Sequence, residues 1–445
     1  MHESNAVDVP RDESAARTRS PGRPRVVIVG GGFGGLWAAR ALAGAEVDVT
    51  LLDRRNHHVF QPLLYQVATA GLSPGEIASP IRWILRRQAN VTVLLGDVLA
   101  INCDAKRLRL SEGAEPGYDY LIVAAGARHA YFGHDDWRAH APGLKTMEDA
   151  LHIRRRVLLA FEQAERLAGA PDGGDPEGLL TFVIVGGGPT GVELAGALAE
   201  IARHTMRHDF RRIDPSKAAI ILVEGGPRVL PAFSEPHSAF ARGALERLGV
   251  SVRTSTMVTA VDGAGVTVRA ADGSESRIAS RTALWAAGVA ASPLGAGLSA
   301  HTDRAGRVRV RPELTISERD DVFVVGDLAT LAGPDGQPYP GVAQVAMQQG
   351  AQAARNVLRR LAGQPMRPFR YRDYGNMATI GRAKAVADLG WLQLRGYVAW
   401  LAWLFIHVLK LIGFRNRASV MLQWAWAYFS YQRSARLITD DEESR

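Results

Sequence analysis

The sequence predicts an α/β protein of two similar domains, the second inserted in the first, followed by an amphipathic helical C-terminal segment. Three observations predict it. Arg25–Leu36 (RVVIVGGGFGGL) and Thr181–Val192 (TFVIVGGGPTGV) echo each other, each an apolar β-branched run, a glycine-rich turn and a small-residue stretch. Tyr120–Ala127 (YLIVAAGA) and Ala283–Val289 (ALWAAGV) form a second pair, apolar strands ending in small residues. Finally, Trp391–Tyr431 holds five of the nine tryptophans and contains two apolar runs.

Bulk properties narrow the classes. A chain of 445 residues suits two to three domains, and 47% apolar against 22% charged residues reads as globular. The net charge of +8 suits nucleic acid or an anionic membrane surface. The basic residues are dispersed and no reading helix is evident, which argues against nucleic acid. The single cysteine, Cys103, excludes an internal dithiol pair and a cysteine-ligated iron–sulfur cluster within the chain. It falls in the strand-like run Val98–Cys103 and reads as a packed core thiol. Met1–Pro24 is polar, lacks the apolar stretch of a signal peptide, and reads as a disordered tail on a protein of a reducing cytoplasm.

The elements follow in order. After the strand Val26–Val29, Gly30, Gly32 and Gly35 take the three glycine positions of a dinucleotide-binding turn. The first permits the tight turn, the second lets the backbone reach a pyrophosphate, and the third lets the helix, about Leu36–Ala43, pack on the strand. That helix offers free N–H groups and a partial positive charge to the anion. The next strand, Val47–Leu52, ends at Asp53, placed to accept hydrogen bonds from ribose hydroxyls. The linker Gly169–Gly178 precedes the second copy, with Gly186, Gly188 and Gly191, a helix over Val192–Ile201, and Glu224 closing the strand Ala219–Val223. An acid there repels a 2′-phosphate and favours NADH over NADPH, although Arg228 stands close by. Arg307–Glu313 and Val322–Asp327 return the chain to the first domain. The expected division is a tail over 1–24, a first domain over 25–145 and 296–365, a second over 146–295, and a membrane-associated segment over 366–445.

At this point four stretches carry a family resemblance. Asp53–Leu72 (DRRNHHVFQPLLYQVATAGL), Gly186–Glu200 (GGGPTGVELAGALAE), Val322–Ala329 (VFVVGDLA) and Ala343–Gly350 (AQVAMQQG) resemble the type II NADH:quinone oxidoreductases, single-subunit, non-pumping NADH dehydrogenases. The first and fourth are the most specific. The resemblance implies FAD in the N-terminal turn, held by Gly30, Gly32, Phe33, Gly34, Gly35, Asp53, Arg54, Gln61, Pro62, Ala125, Gly126, Asp327, Ala343 and Gln344. It implies NADH in the second, held by Gly186, Gly188, Pro189, Thr190, Gly191, Glu193, Glu224, Ala287 and Gly288. It also implies a quinone as electron acceptor and a homodimer.

Gln344 and Gln348, four apart on one helix face, are candidates for the quinone pocket, because a neutral amide can bond a quinone carbonyl. The alternative is a solvated polar face. Gln349 lies off that face. Glu193 sits in an apolar helix start, where burial would raise its pKa. The resemblance implies a role for it near flavin and quinone as a proton relay, with Lys384 as the best match for a lysine partner, and the alternative is half of a structural ion pair. Gln61 and Pro62, with Thr69 beside them, are expected to line the isoalloxazine ring. His57 and His58 read as structural, and no metal site is expected.

The C-terminal runs Gly396–Leu409 and Ala418–Gln432 are each about fourteen or fifteen residues, short of the ~20 that cross a bilayer. Arg395, Lys410, Arg415, Arg417, Arg433 and Arg436 flank them. They read as two helices lying in one leaflet on anionic lipid, a monotopic anchor on the cytoplasmic side, or else as a dimer interface or a core helix pair. Removing 390–445 is expected to release the protein from membranes with both nucleotide folds intact. Two rival functions stay open: an NADH-dependent flavin reductase with a soluble protein acceptor, and a low-turnover NADH-sensing interaction module.

Overall fold

Continuous β-branched runs such as RVVIV and TFVIV suit parallel strands buried on both faces, where each residue meets a covering helix. The computed structural model describes residues 22–169, 178–411, 417–422, 424 and 435–438. The first half-domain contains β1 (Arg25–Val29), α1 (Phe33–Ala41), β2 (Asp48–Asp53), β3 (Val91–Leu95) and β4 (Tyr120–Val123). The chain then leaves to form α2 (Met147–Ala168), β5 (Thr181–Val185), α3 (Pro189–Glu200), β6 (Ala219–Val223), β7 (Val250–Arg253) and β8 (Thr282–Trp285). It returns as β9 (Val322–Val324) and α4 (Ala343–Leu361), and ends in β10 (Asn376–Thr379), β11 (Ala385–Asp388), β12 (Gln393–Gly396) and α5 (Tyr397–Lys410).

Two parallel sheets result, β9-β4-β1-β2-β3 and β7-β6-β5-β8. In each, the strand that opens a glycine turn lies between the two it must separate, so the crevice for a ligand falls at the strands' carboxyl ends. The two crossings between domains run side by side, Ala127–His129 pairing antiparallel with Val289–Ala291.

Both helices start three residues before the sequence suggests. Gly32 and Gly188 are extended and act as the caps, so Gly34, Gly35 and Gly191 are already helical. Pro189 takes the first helical position, where its missing N–H costs nothing. The first helix crosses α4 with almost no gap: a Cβ on Gly350 would sit 2.0 Å from the Gly34 carbonyl oxygen.

The C-terminal segment is more than a pair of helices. It opens with the antiparallel sheet β10-β11-β12, and α5 packs on it. Ala399, Trp403 and Val408 of α5 belong to the same buried cluster as Leu64, Leu194 and Val386. Removal of 390–445 would therefore also take β12 and α5 out of the core, not only a superficial anchor. Among the described residues no helix is long and apolar enough to cross a membrane. Residues 1–21 of the tail, 170–177 of the linker and most of the Ala418–Gln432 run lie outside the described residues.

The crossing of α1 on α4 gives a direct test. Gly350→Val forces the helices apart, an overpacking defect of about 1–3 kcal/mol. The calorimetric midpoint is expected to fall by roughly 1–3 °C; an unchanged midpoint would contradict the close crossing.

Candidate functional site

The two turns are built alike. Gly30 and Gly186 have φ of +100° and +108°, and a Cβ on them would lie 2.4 Å from the Ala124 oxygen and 2.7 Å from the Ala286 carbonyl carbon. A Cβ on Gly35 or Gly191 would lie 1.8 Å from the carbonyl oxygen of Gly30 or Gly186. At Gly32 and Gly188 it would meet nothing within 4 Å. Each turn is thus closed where it crosses its sheet and open at the middle glycine, beside the helix N-terminus, where an anion is best held.

The acids complete the match. Asp53 accepts the N–H groups of Gly31 at 2.5 Å and Arg55 at 2.7 Å. Glu224 accepts those of Gly187 at 2.5 Å and Gly226 at 2.6 Å. Arg228 donates to the Phe233 and Pro231 carbonyls, so its guanidinium is committed within its own loop. Two phosphate cradles with carboxylates at the ribose position fit two dinucleotides, and these residues would hold them.

A single cavity of about 2210 Å³ joins the domains, well beyond the roughly 300–1,000 Å³ of an ordinary ligand pocket. From the first domain it meets Gly30, Gly32, Phe33, Gly34, Asp53, Arg54, Gln61, Pro62, Ala125, Gly126, Asp327, Ala343, Gln344 and Gln348. From the second it meets Pro189 and Thr190, at the helix N-terminus of that cradle, with Glu193 and Gly288, whereas Gly186, Gly188 and Glu224 do not line it. Gly35 and Gly191 act behind this surface, through packing. Ala287 is a correction: it packs against the second domain's core and does not line the cavity, because the strand end turns it inward. Thr69 is another. Its hydroxyl donates to the Tyr65 carbonyl at 2.8 Å, and it lines a separate crevice of about 120 Å³.

The two glutamines have a task the sequence did not suggest. Gln344 donates to the Gly375 carbonyl at 2.9 Å and accepts the Tyr374 N–H at 3.2 Å. Gln348 donates to the Arg372 carbonyl and accepts its N–H, both at 2.9 Å. Together they clamp the strap 372–375 over the cavity, and each amide keeps one N–H and one lone pair for a ligand. Gln349 is buried and accepts the Gly326 N–H at 2.7 Å, fixing the turn before Asp327.

One further residue of the site, Lys145, carried no sequence signal. Lys145 pairs with Asp327 at 3.1 Å, across 182 residues of chain. His58, buried and edge-on to Phe33, reaches the Gly31 carbonyl at 3.0 Å through Nδ1, so it supports the first cradle. Burial pushes its pKa down to about 4, which keeps it neutral and leaves Nδ1–H to donate.

Glu193 stands on the wall between the two cavities and lines both. The Thr379 N–H reaches it at 3.4 Å. Burial pushes its carboxyl up to about 8, so it holds a proton at neutral pH. Lys384 is a correction. It lies in the turn between β10 and β11, beyond the Thr379–Ala385 pair, lines neither cavity, and forms no ion pair with Glu193. Arg382 is the cation of that turn that lines the smaller crevice.

Fold and site together define a protein with two dinucleotide cradles opening into one shared cavity. Residues 24–350 match the family model described as pyridine nucleotide-disulphide oxidoreductase, and 374–431 match the NDH2 C-terminal domain. The chain is 46% identical over 97% of its length to the type II NADH:quinone oxidoreductase Ndh of Mycobacterium tuberculosis, covering 94% of that protein. It is 30% identical over 90% of its length to the demethylphylloquinone reductase NdbB of Synechocystis, covering 96% of it. The NDH2 of Plasmodium falciparum, solved with NADH, shares the fold at a TM-score of 0.84 and 20% identity, with 94% of this chain and 100% of that one covered. The chain belongs to the type II NADH:quinone oxidoreductase family.

The buried carboxyl predicts a pH effect. An acid with a folded pKa near 8 and an ordinary value of 4.5 binds its proton more tightly in the folded state. Its neutral burial costs nothing at low pH, and stability is lost as pH rises from about 4.5 to about 8. Glu193→Gln removes that loss. The variant is expected to melt above the wild type at pH 9, with the difference shrinking towards pH 5; a pH-independent difference would contradict the assignment.

Proposed function

We propose that the chain oxidises NADH and delivers two electrons to a membrane quinone, without pumping protons. The observation that carries this is the pair of matching cradles opening into one cavity that extends to the apolar helix α5. FAD belongs in the N-terminal cradle and NADH in the second. When bound, FAD supplies a two-electron carrier between nicotinamide and quinone.

The chain's own residues do the rest. Asp53 and Glu224 orient the loop N–H groups and leave lone pairs for ribose. Arg54, Ala125, Gly126 and Asp327, the last held by Lys145, bound the flavin side. Gln61 and Pro62 form its floor, and Gly288, Pro189 and Thr190 border the nicotinamide side. Gln344 and Gln348 hold the strap and offer their spare N–H groups to a quinone carbonyl. Glu193 keeps a proton on the cavity wall, and Lys384 has no part in this reading.

We place the protein on the cytoplasmic face of the membrane, lying on anionic lipid. On α5, Val398, Leu401, Phe405 and Leu409 form one exposed apolar stripe, and Arg395, Lys410 and Arg417 stand at its ends. Such a stripe disfavours the soluble-carrier reading and the sensing module, neither of which uses it. A homodimer, implied by the resemblance, completes the proposal.

Two experiments test it. Purified, FAD-loaded protein is expected to be bleached by NADH and restored by a soluble quinone analogue, with steady NADH oxidation; no acceleration by quinone overturns the reading. Replacing Leu401, Phe405 and Leu409 together by Ser, which spares the inward face of α5, is expected to release the protein from anionic vesicles at high salt while the NADH bleach persists. Undiminished vesicle binding would place the anchor elsewhere.

A further inference from the structure

Helix α5 has a second face. Ala399, Trp403 and His407 recur every fourth residue, so they share one stripe, and it points inward. His407 is firmly held there. Its ring stacks on Trp403 with centroids 4.3 Å apart and meets the edge of Phe60 at 6.1 Å. Its Nδ1 lies 2.8 Å from the Trp403 carbonyl oxygen. A carbonyl only accepts, so Nδ1 carries the hydrogen.

A neutral imidazole has one N–H. With that hydrogen committed to Trp403, Nε2 presents a lone pair and cannot donate. Burial pushes the His407 pKa down to about 4, so the ring stays neutral at physiological pH. The side chain lines the large cavity with Ile406 and Lys410, and among the described residues its hydrogen bond is the one through Nδ1.

The surroundings place this acceptor. Phe60 immediately precedes Gln61, on the flavin side. The Lys410 ammonium lies 5.7 Å from the Tyr374 ring, and the Tyr374 N–H is bonded to Gln344. His407 therefore stands between the flavin-side segment and the glutamine-held strap, with the lipid-side stripe behind it on the same helix.

A quinone carbonyl is an acceptor and gains nothing from a second acceptor. The hydroxyl of the reduced form is a donor and does. We propose that His407 Nε2 accepts a hydrogen bond from the hydroxyl of the bound hydroquinone, so that α5 supplies a recognition group for the product as well as the lipid contact. This rests on the quinone reading above. His407 neither gains nor loses a proton: NADH, one solvent proton and quinone give NAD+ and hydroquinone, and the imidazole binds the product.

The test compares both redox forms of a short-chain benzoquinone analogue, by equilibrium binding to the full-length, FAD-loaded protein in detergent. His407→Phe keeps the stacking on Trp403 and removes the acceptor. It is expected to lower hydroquinone affinity roughly 3–10-fold, the worth of one hydrogen bond, while quinone affinity and the NADH bleach stay unchanged. His407→Gln, which keeps an acceptor oxygen, is expected to recover part of the loss. Equal weakening of both forms would assign His407 a packing role only, and no change in either would also overturn the proposal. If the wild type binds neither form and quinone does not accelerate NADH oxidation, the quinone reading itself falls, and this inference with it.

Discussion

The tightest constraint in the molecule is a backbone contact made twice: the third glycine of each turn against the carbonyl of the first. Any side chain at Gly35 or Gly191 would stand 1.8 Å from that oxygen, closer than any rotamer change could relieve. Because the contact is so close, the helix starts directly over the strand end, and its free N–H groups converge on one small volume. The carboxylate closing the next strand then ties down the intervening glycine N–H, at 2.5 Å in both domains. Each cradle is thus fixed by backbone geometry before any ligand side chain is chosen. That is why two stretches of different composition make nearly the same site.

Holding the two cradles towards one cavity is a separate problem, solved mostly by backbone and core. The crossings pair as Ala127–His129 against Val289–Ala291, and a single buried cluster runs from the segment around Leu64 through α3 to α5. Ion pairs play a smaller part. Arg55–Glu148 is largely solvated and worth at most about 1 kcal/mol. Lys145–Asp327 is more enclosed, and its value is orientation: it holds the carboxylate of Asp327 at the cavity wall.

Local backbone demands were legible in the sequence; long-range partnerships were not. The glycine spacing with an acid after the next strand identifies both cradles, and the strand-like Val322–Asp327 after the second copy points to the insertion. The helices start three residues earlier than the pattern predicts, since glycine reads as loop although here it begins the helix. The sheet β10-β11-β12 leaves little trace in the sequence because its strands are only four residues each, split by turns at Gly381 and Gly390, beside a far louder aromatic signal. The family pattern points to Lys384, but its position is set by the β10–β11 turn, whose register no spacing rule reports. Gln344 and Gln348 were correctly placed on one face, yet that face meets a strap whose path depends on tertiary structure alone.

The C-terminal helix joins these levels. A strictly superficial anchor would be apolar on one side and polar on the other, and its loss would leave the enzyme core intact. Helix α5 is apolar nearly all round, the composition of an element with two partners. Its inward stripe buries Ala399 and Trp403 in the core and sets His407 at the cavity, while its outward stripe leaves Phe405 and Leu409 exposed. Since the helix is rigid over its three to four turns, a lipid contact on one side and the cavity wall on the other cannot be positioned independently. In the proposed membrane reading, the helix that would seat the protein on lipid therefore also sets the end of the cavity through which a membrane-borne substrate would enter.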